Sequence, residues 1–173
     1  LGGEAVALGR SDVFVPVDTE ALRAEDLAFA RATVAEHRLI ALISTDGDAD
    51  RPMLFDEKGQ FVRGDLLGIL TAKFLGADAV VTPVTSSSAI EQSGLFKTVV
   101  RTKVGSPFVI AGMEEAKRQG GRIVVGFEAN GGVLLGSDVA LSGGMLTALP
   151  TRDSMLPMLS VLGLGLREGK TVS

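Results

Sequence analysis

Short apolar runs alternate along this chain with helix-length amphipathic stretches, and that alternation limits the folds available to it. The run "AEDLAFARATVAEH" (24–37) places Leu27, Ala30 and Val34 on one helical face and acidic residues in its first turn, which predicts a helix. "LIALIST" (39–45) reads as a strand too apolar to have a wet side, and "EAVALG" (4–9) as a buried strand. "MLFDEKGQFV" (53–62) predicts a hairpin turning at Glu57 to Gln60. From about Gly64 a second series follows: helix "DLLGILTAKFL", strand "DAVVTPVT", short helix "SSAIEQSG", strand "KTVVRTK", helix "PFVIAGMEEAKRQ" and strand "RIVVGFEA". A glycine-rich hairpin and a closing helix from about Thr151 to Arg167 complete it. Strands apolar on both faces, separated by helices, predict an α/β fold with a mainly parallel mixed sheet and helices on both faces.

Residues 1–62 supply too few strands for a sheet of their own, so they are expected to be the end of a domain begun upstream; residues 63–173 can form a complete one. An opening without Met, almost inside an expected strand, suggests a piece of something longer. Hydrophobic residues make up 46%, mostly Ala, Val, Leu and Ile rather than aromatics, since Trp and Tyr are absent and Phe numbers 8. The net charge of −4 comes from interleaved acids and bases with no basic stripe, which argues against nucleic acid as a partner. Without cysteine there is no disulfide framework or thiolate metal site, which fits a reducing cytoplasm. The most apolar stretch, "SMLPMLSVLGLGL", is shorter than the roughly 18 residues of a membrane span and is broken by Pro157, Gly163 and Gly165, so no membrane role is expected.

The chemistry concentrates in "TDGDADRP" (45–52). Alternate residues of an extended segment lie about 6.6 Å apart on one side. If the loop curls at Gly47 and Ala49, then Asp46, Asp48 and Asp50 converge on one point. Like charges at about 4 Å repel by roughly 4 kcal/mol at an effective dielectric near 20, so either something positive stands beside them or the side chains splay into water. A hard divalent ion such as Mg²⁺ suits three carboxylates, and the Arg51 fork suits a phosphate. An EF-hand also uses D-x-D-x-D with a distant Glu, and Glu57 falls at the twelfth position. Arg51 occupies the place of its turn glycine, however, and the preceding segment is strand-like. An Asp-x-Asp sugar-nucleotide transferase and a plain solvated acidic turn are the other readings.

This loop resembles the metal loop of the α-D-phosphohexomutases, the phosphomannomutase and phosphoglucomutase group. "RTKVGSPFVIAGM" (101–113) resembles the family's third-domain loop before a helix, and "GFEANGG" (126–132) its sugar-recognition loop. "ALGRSDVFVPVDTEAL" (7–22) resembles the segment before the metal loop in one bacterial branch. The likeness covers essentially the whole chain in the right order. It implies a four-domain architecture of which residues 1–62 are the end of the second domain and 63–173 the third. It further implies that Asp46, Asp48 and Asp50 bind Mg²⁺ and that Arg51 contacts the phosphate on a catalytic serine. Glu128, Asn130 and Gly131 would hold the sugar, with Lys103, Gly105, Ser106 and, less strongly, Arg101 near the phosphosugar.

Each part also has a plainer reading. "NG" at Asn130–Gly131 suits a two-residue hairpin turn, and Ser106–Pro107 suits a helix cap followed by a first helical residue. His37 reads as a charge at a helix end. Thr85 and Ser106 stand where the better-known branch carries a lysine and a histidine, so no general acid or base is assigned. The family's serine loop and fourth-domain phosphate loop have no counterpart, the run Thr85 to Ser88 falling after a third-domain strand. The implied function is interconversion of mannose or glucose 1- and 6-phosphates through a phosphoserine and a bisphosphate intermediate. The remaining domains of the parent are required, and this piece alone is expected to be inactive. The alternative is a non-catalytic phosphosugar-binding or regulatory module.

Overall fold

The computed structural model describes residues 2–173. Residues 2–23 run without a helix or strand. The expected strand at residues 4–9 does not form; Val6 and Leu8 are exposed. No strand among the described residues pairs with that segment. Helix α1 (Ala24–His37) forms where its apolar spacing places it, and the Asp26 carboxylate accepts from the Arg23 backbone and guanidinium at its entry. His37 stands in its last turn.

Strands β1 (Leu42–Thr45) and β2 (Pro52–Phe55) pair antiparallel, Leu42 opposite Phe55 and Thr45 opposite Pro52. Ala30 of α1 packs with Met53 and Phe55 of this hairpin. The expectation that 39–45 lacks a wet side is corrected, because Ile40 and Ile43 are exposed. β1 is an edge of a two-stranded sheet, with one partner strand among the described residues. The turn after β2 follows expectation. Asp56 Oδ1 accepts the Lys58 and Gln60 amides at 2.9 and 2.7 Å, and Phe55 bridges to Phe61.

The rest of the chain builds α2 (Gly64–Leu75), β3 (Ala79–Pro83), α3 (Ala89–Gln92), β4 (Thr98–Thr102), α4 (Ser106–Arg118), β5 (Val124–Phe127), β6 (Val133–Leu135), β7 (Val139–Leu141), β8 (Gly144–Leu146), β9 (Leu149–Asp153) and α5 (Met155–Glu168). The main sheet has the order β4-β3-β5-β6-β9, parallel among the first three strands and antiparallel across the last two pairings. Alternation along each strand sorts its side chains between two faces. Val81, Val124 and Leu134 meet Val109, Met113 and Ala116 of α4 on one face. Val80, Val125 and Phe127 meet Ile69, Ala72 and Leu75 of α2 on the other. Fully burying a side chain such as Phe127 stabilises by about 1.5–3 kcal/mol.

α5 packs along α2 through Met158, Val161 and Leu67, and Leu54 of β2 joins that cluster. The closing helix begins at Met155 rather than near Thr151, because residues 149–153 add the edge strand β9 to the sheet. Ahead of it the glycine-rich stretch expected as a hairpin supplies β6 and the β7–β8 hairpin, in which Leu141 is opposite Gly144. The loops after β3, β4 and β5 gather at the carboxyl ends of the parallel strands, where open α/β sheets place ligands. No helix among the described residues is long and apolar enough to cross a membrane.

Candidate functional site

The aspartate segment is the loop of the β1–β2 hairpin. The Asp46 amide donates to the Arg51 carbonyl at 3.2 Å, closing the loop where the strand ladder ends. Inside it the Ala49 amide donates to the Asp46 carbonyl at 3.2 Å, and Ala49 takes a φ of 60°, left-handed for a non-glycine residue. Asp46 Oδ1 accepts the Asp50 and Arg51 amides at 3.2 and 3.1 Å, drawing the chain into a curl. One carboxylate oxygen from each of Asp46, Asp48 and Asp50 then lies within 4.8 Å of the others.

Positive charge is close by. Arg51 Nε stands 3.6 Å from Asp46 Oδ2 and 3.7 Å from Asp50 Oδ1, and its Nη1 reaches Glu20 at 3.4 Å. Arg152, on β9, pairs through Nη2 with Asp50 Oδ2. Two donor positions stay open: Asp50 Oδ1 is buried without a hydrogen-bond partner, and Asp48 is exposed and bonds to nothing among the described residues. Three convergent oxygen donors, one buried and unsatisfied, form a set that fits a hard divalent cation.

The 128–132 loop joins β5 to β6 and is held from within. The Glu128 amide donates to the Gly132 carbonyl, and the Gly131 amide to the Glu128 carbonyl, both at 3.0 Å. Asn130 Oδ1 accepts the Gly132 amide at 3.1 Å. The loop is therefore five residues long, not the two-residue turn that "NG" suggests, because the strand pairing stops at Phe127 opposite Val133. Glu128 is 7% exposed; its Oε2 accepts the Ser106 hydroxyl at 3.0 Å and lies 3.9 Å from Arg152 Nη1. Ser106 thus holds Glu128 instead of capping α4. The N-cap is Gly105, at a φ of 120°.

Close backbone approach brings the two loops together. Gly131 has a φ of 94°, and a Cβ there would sit 2.9 Å from Pro52 Cγ, directly after Arg51. At Gly64, the first residue of α2, a Cβ would meet the Asn130 carbonyl carbon and the Gly131 nitrogen at 2.3 Å. Asn130 faces a cavity of about 200 Å³ shared with Thr19, Glu20 and Arg63.

The other expected residues separate into two groups. Lys103 and Gly105 lie on the β4–α4 connection and Ser106 opens α4, with Lys103 Nζ 5.7 Å from the Phe108 ring centre. Arg101 points to the β3–α3 loop. It donates to the Pro83, Ser86 and Ser87 carbonyls at 3.1, 2.9 and 3.0 Å and to both Glu91 oxygens at 2.8 Å. That guanidinium holds the Glu91 carboxyl below the usual carboxylate range. Thr85 is exposed on the same loop. Sequence reasoning passed over Arg152, and also Ser154, whose hydroxyl donates to the Ala49 carbonyl at 2.8 Å. The only local signal was the charged pair Arg152–Asp153 shortly before the closing helix.

Residues 63–173 match the family described as phosphoglucomutase/phosphomannomutase, alpha/beta/alpha domain III. The chain belongs to this family. It is 50% identical over 170 residues to a phosphomannomutase of Sinorhizobium fredii, covering 98% of this chain and 35% of that protein. A phosphomannomutase of Salmonella muenchen is 49% identical over 162 residues, covering 94% of this chain and 34% of the relative. The chain therefore spans about a third of the length of the curated relatives it matches. A solved phosphoglucomutase/phosphomannomutase family protein of Burkholderia thailandensis shares the fold with a TM-score of 0.61 at 17% identity, covering 84% of this chain and 30% of its own. The N-acetylphosphoglucosamine mutase of Aspergillus fumigatus does so at 0.56 and 18%, covering 82% and 34%. These likenesses agree with the α/β expectation.

Proposed function

We propose that this chain is the cation- and sugar-handling part of a phosphomannomutase/phosphoglucomutase that interconverts hexose 1- and 6-phosphates, of mannose or glucose, through a phosphoserine and a bisphosphate intermediate. The observation that carries the reading is the meeting of the acidic loop and the Glu128 loop across Pro52 and Gly131. Residues 1–62 are assigned to the end of the second domain and 63–173 to the third. The serine is assigned to another domain of the parent, so the 173-residue chain alone is expected to be inactive.

Asp46, Asp48 and Asp50 would hold Mg²⁺, which when bound neutralises charge on a phosphoryl group. Arg51, whose Nε lies near Asp46 and Asp50 but is buried without a hydrogen-bond partner, presents a planar fork of donors to the same phosphoryl oxygens. Glu128 accepts from sugar hydroxyls with the oxygen capacity that Ser106 and Arg152 leave open. Asn130 and Gly131 present amide and backbone groups beside it. Lys103, Gly105 and Ser106, at the start of α4, supply positive potential for the phosphosugar. Arg101 acts on this site by holding the β3–α3 loop.

The test is the product of the full reading frame, assayed with mannose 1-phosphate and glucose 1-phosphate, Mg²⁺ and a hexose bisphosphate activator, beside its Asp48→Asn variant. Turnover that is lost in the variant supports the reading. Binding of the phosphosugar without turnover favours a regulatory module, and turnover indifferent to Asp48→Asn removes the cation role.

A further inference from the structure

Arg152 touches both loops, and nothing in the assigned chemistry uses it. It lies on β9, which pairs with β6 through an irregular register: Val133 is opposite Asp153, yet Leu135 is opposite Leu149. Such an irregularity re-aims side chains, and here it stands next to the site. The Arg152 stem crosses the 128–132 loop at Gly132, where a Cβ would come within 3.0 Å of its Cδ. One guanidinium nitrogen then meets Asp50 Oδ2, and the other lies 3.9 Å from Glu128 Oε2, beyond hydrogen-bond range. The guanidinium is therefore shared unequally, with Asp50 holding it. Around it, Asp46, Asp50, Glu20 and Glu128 lie within 3.9 Å of Arg51 or Arg152 and Asp48 is in no ion pair among the described residues, leaving this cluster formally negative.

We infer that Arg152 is a positioning residue that couples the acidic loop to the Glu128 loop. It serves as the counter-charge of Asp50 until a divalent cation takes that role. This inference rests on the cation reading of Asp46, Asp48 and Asp50. A cation drawing on Asp50 weakens the hold of that carboxylate on Arg152, and Glu128 is the nearest other carboxylate to the guanidinium. Cation binding on one loop is thereby reported to the carboxylate that accepts from the sugar on the other. By linkage, a ligand that engages Glu128 alters cation affinity by the same factor.

The test is a titration of the 173-residue chain with magnesium chloride alone, followed by backbone amide NMR shifts and by calorimetry, in wild type, Arg152→Gln and Asp48→Asn. In wild type the amides of residues 46–51 and 128–132 move together with one midpoint. In Arg152→Gln those of 46–51 still move while those of 128–132 stay in place. Mg²⁺ affinity rises about two- to fivefold, as expected from losing a partly exposed competing ion pair. Well-dispersed amide spectra verify that the variant is folded, and if it is not, Arg152→Lys, which keeps the charge on a single-point donor, is measured for the same separation of the two loops. A 128–132 response unchanged in the Arg152 variant, or a fall in Mg²⁺ affinity, overturns the coupling while leaving the cation site intact. Absence of any wild-type response, or a response that persists in Asp48→Asn, overturns the cation reading and the coupling with it.

Discussion

Replacing Gly64 by alanine tests the contact that sets the Glu128 loop on the rest of the molecule. The added Cβ would lie 2.3 Å from the Asn130 carbonyl carbon and the Gly131 nitrogen and 2.5 Å from the Ala129 oxygen. Carbon atoms rest at about 3.5–4.0 Å, so either the loop or the first turn of α2 must move by roughly 1 Å or more. All three obstacles are backbone, and no flexible side chain can turn aside. Overpacking of this kind costs about 1–3 kcal/mol, here toward the upper end. Alanine recovers part of that, at most about 1 kcal/mol, through its better helix propensity, and less at a helix's first residue. The net expectation is about 2 kcal/mol, which for a chain of this length lowers Tm by about 4–8 °C. Urea denaturation followed by circular dichroism measures it, with Gly143→Ala as the control, since a Cβ at Gly143 meets nothing within 4 Å. Gly64→Ala indistinguishable from that control refutes the proposed seating of the loop on α2.

Arg101→Met removes the donors that hold the Pro83, Ser86 and Ser87 carbonyls, and the freed carbonyls turn partly to water. A loss of about 2 kcal/mol is expected from charge-assisted hydrogen bonds of this number and exposure, with faster amide exchange confined to the β3–α3 loop. Exchange unchanged in that loop contradicts the clamp. The Asp78 carboxyl sits below its usual range: partial burial opposes ionisation, but the Ile123 and Arg122 amides, at 2.9 and 3.0 Å, outweigh it. A depressed carboxylate stabilises fully above its unfolded value near pH 4 and loses that contribution as pH falls toward its folded value. The stability gap between wild type and Asp78→Asn is therefore expected to hold from pH 7 to about 5 and to shrink below 4. A gap independent of pH down to 3 counts against it.

Where a segment's partners were local, its sequence declared its structure. α1, α2 and α4 each carry an apolar stripe at helical spacing, and the central strands are apolar on both faces because helices cover both. The closure of the aspartate loop was legible because Gly47 and Ala49 lie between the acids and permit the curl. Long-range pairing was not legible. Residues 4–9 have the composition of a strand but no neighbour to pair with, whereas 149–153, interrupted by Pro150, become one because β6 offers a free edge. Ser106 looked like a cap, and its hydroxyl instead serves a carboxylate 22 residues away. Arg152 faces the same obstacle: its partners lie at positions 50 and 128, and only the folded sheet brings them into reach.

Asp48 offers the cleanest access to the central claim, because its carboxylate bonds to nothing among the described residues and an amide can replace it without disturbing the loop. The decisive measurement is manganese binding to the 173-residue chain by electron paramagnetic resonance, with magnesium as competitor. The account requires one saturable site per chain, displaced by magnesium and lost in Asp48→Asn with thermal stability unchanged. Equal binding by wild type and variant, or none by either, would mean that the three carboxylates are an acidic turn and nothing more.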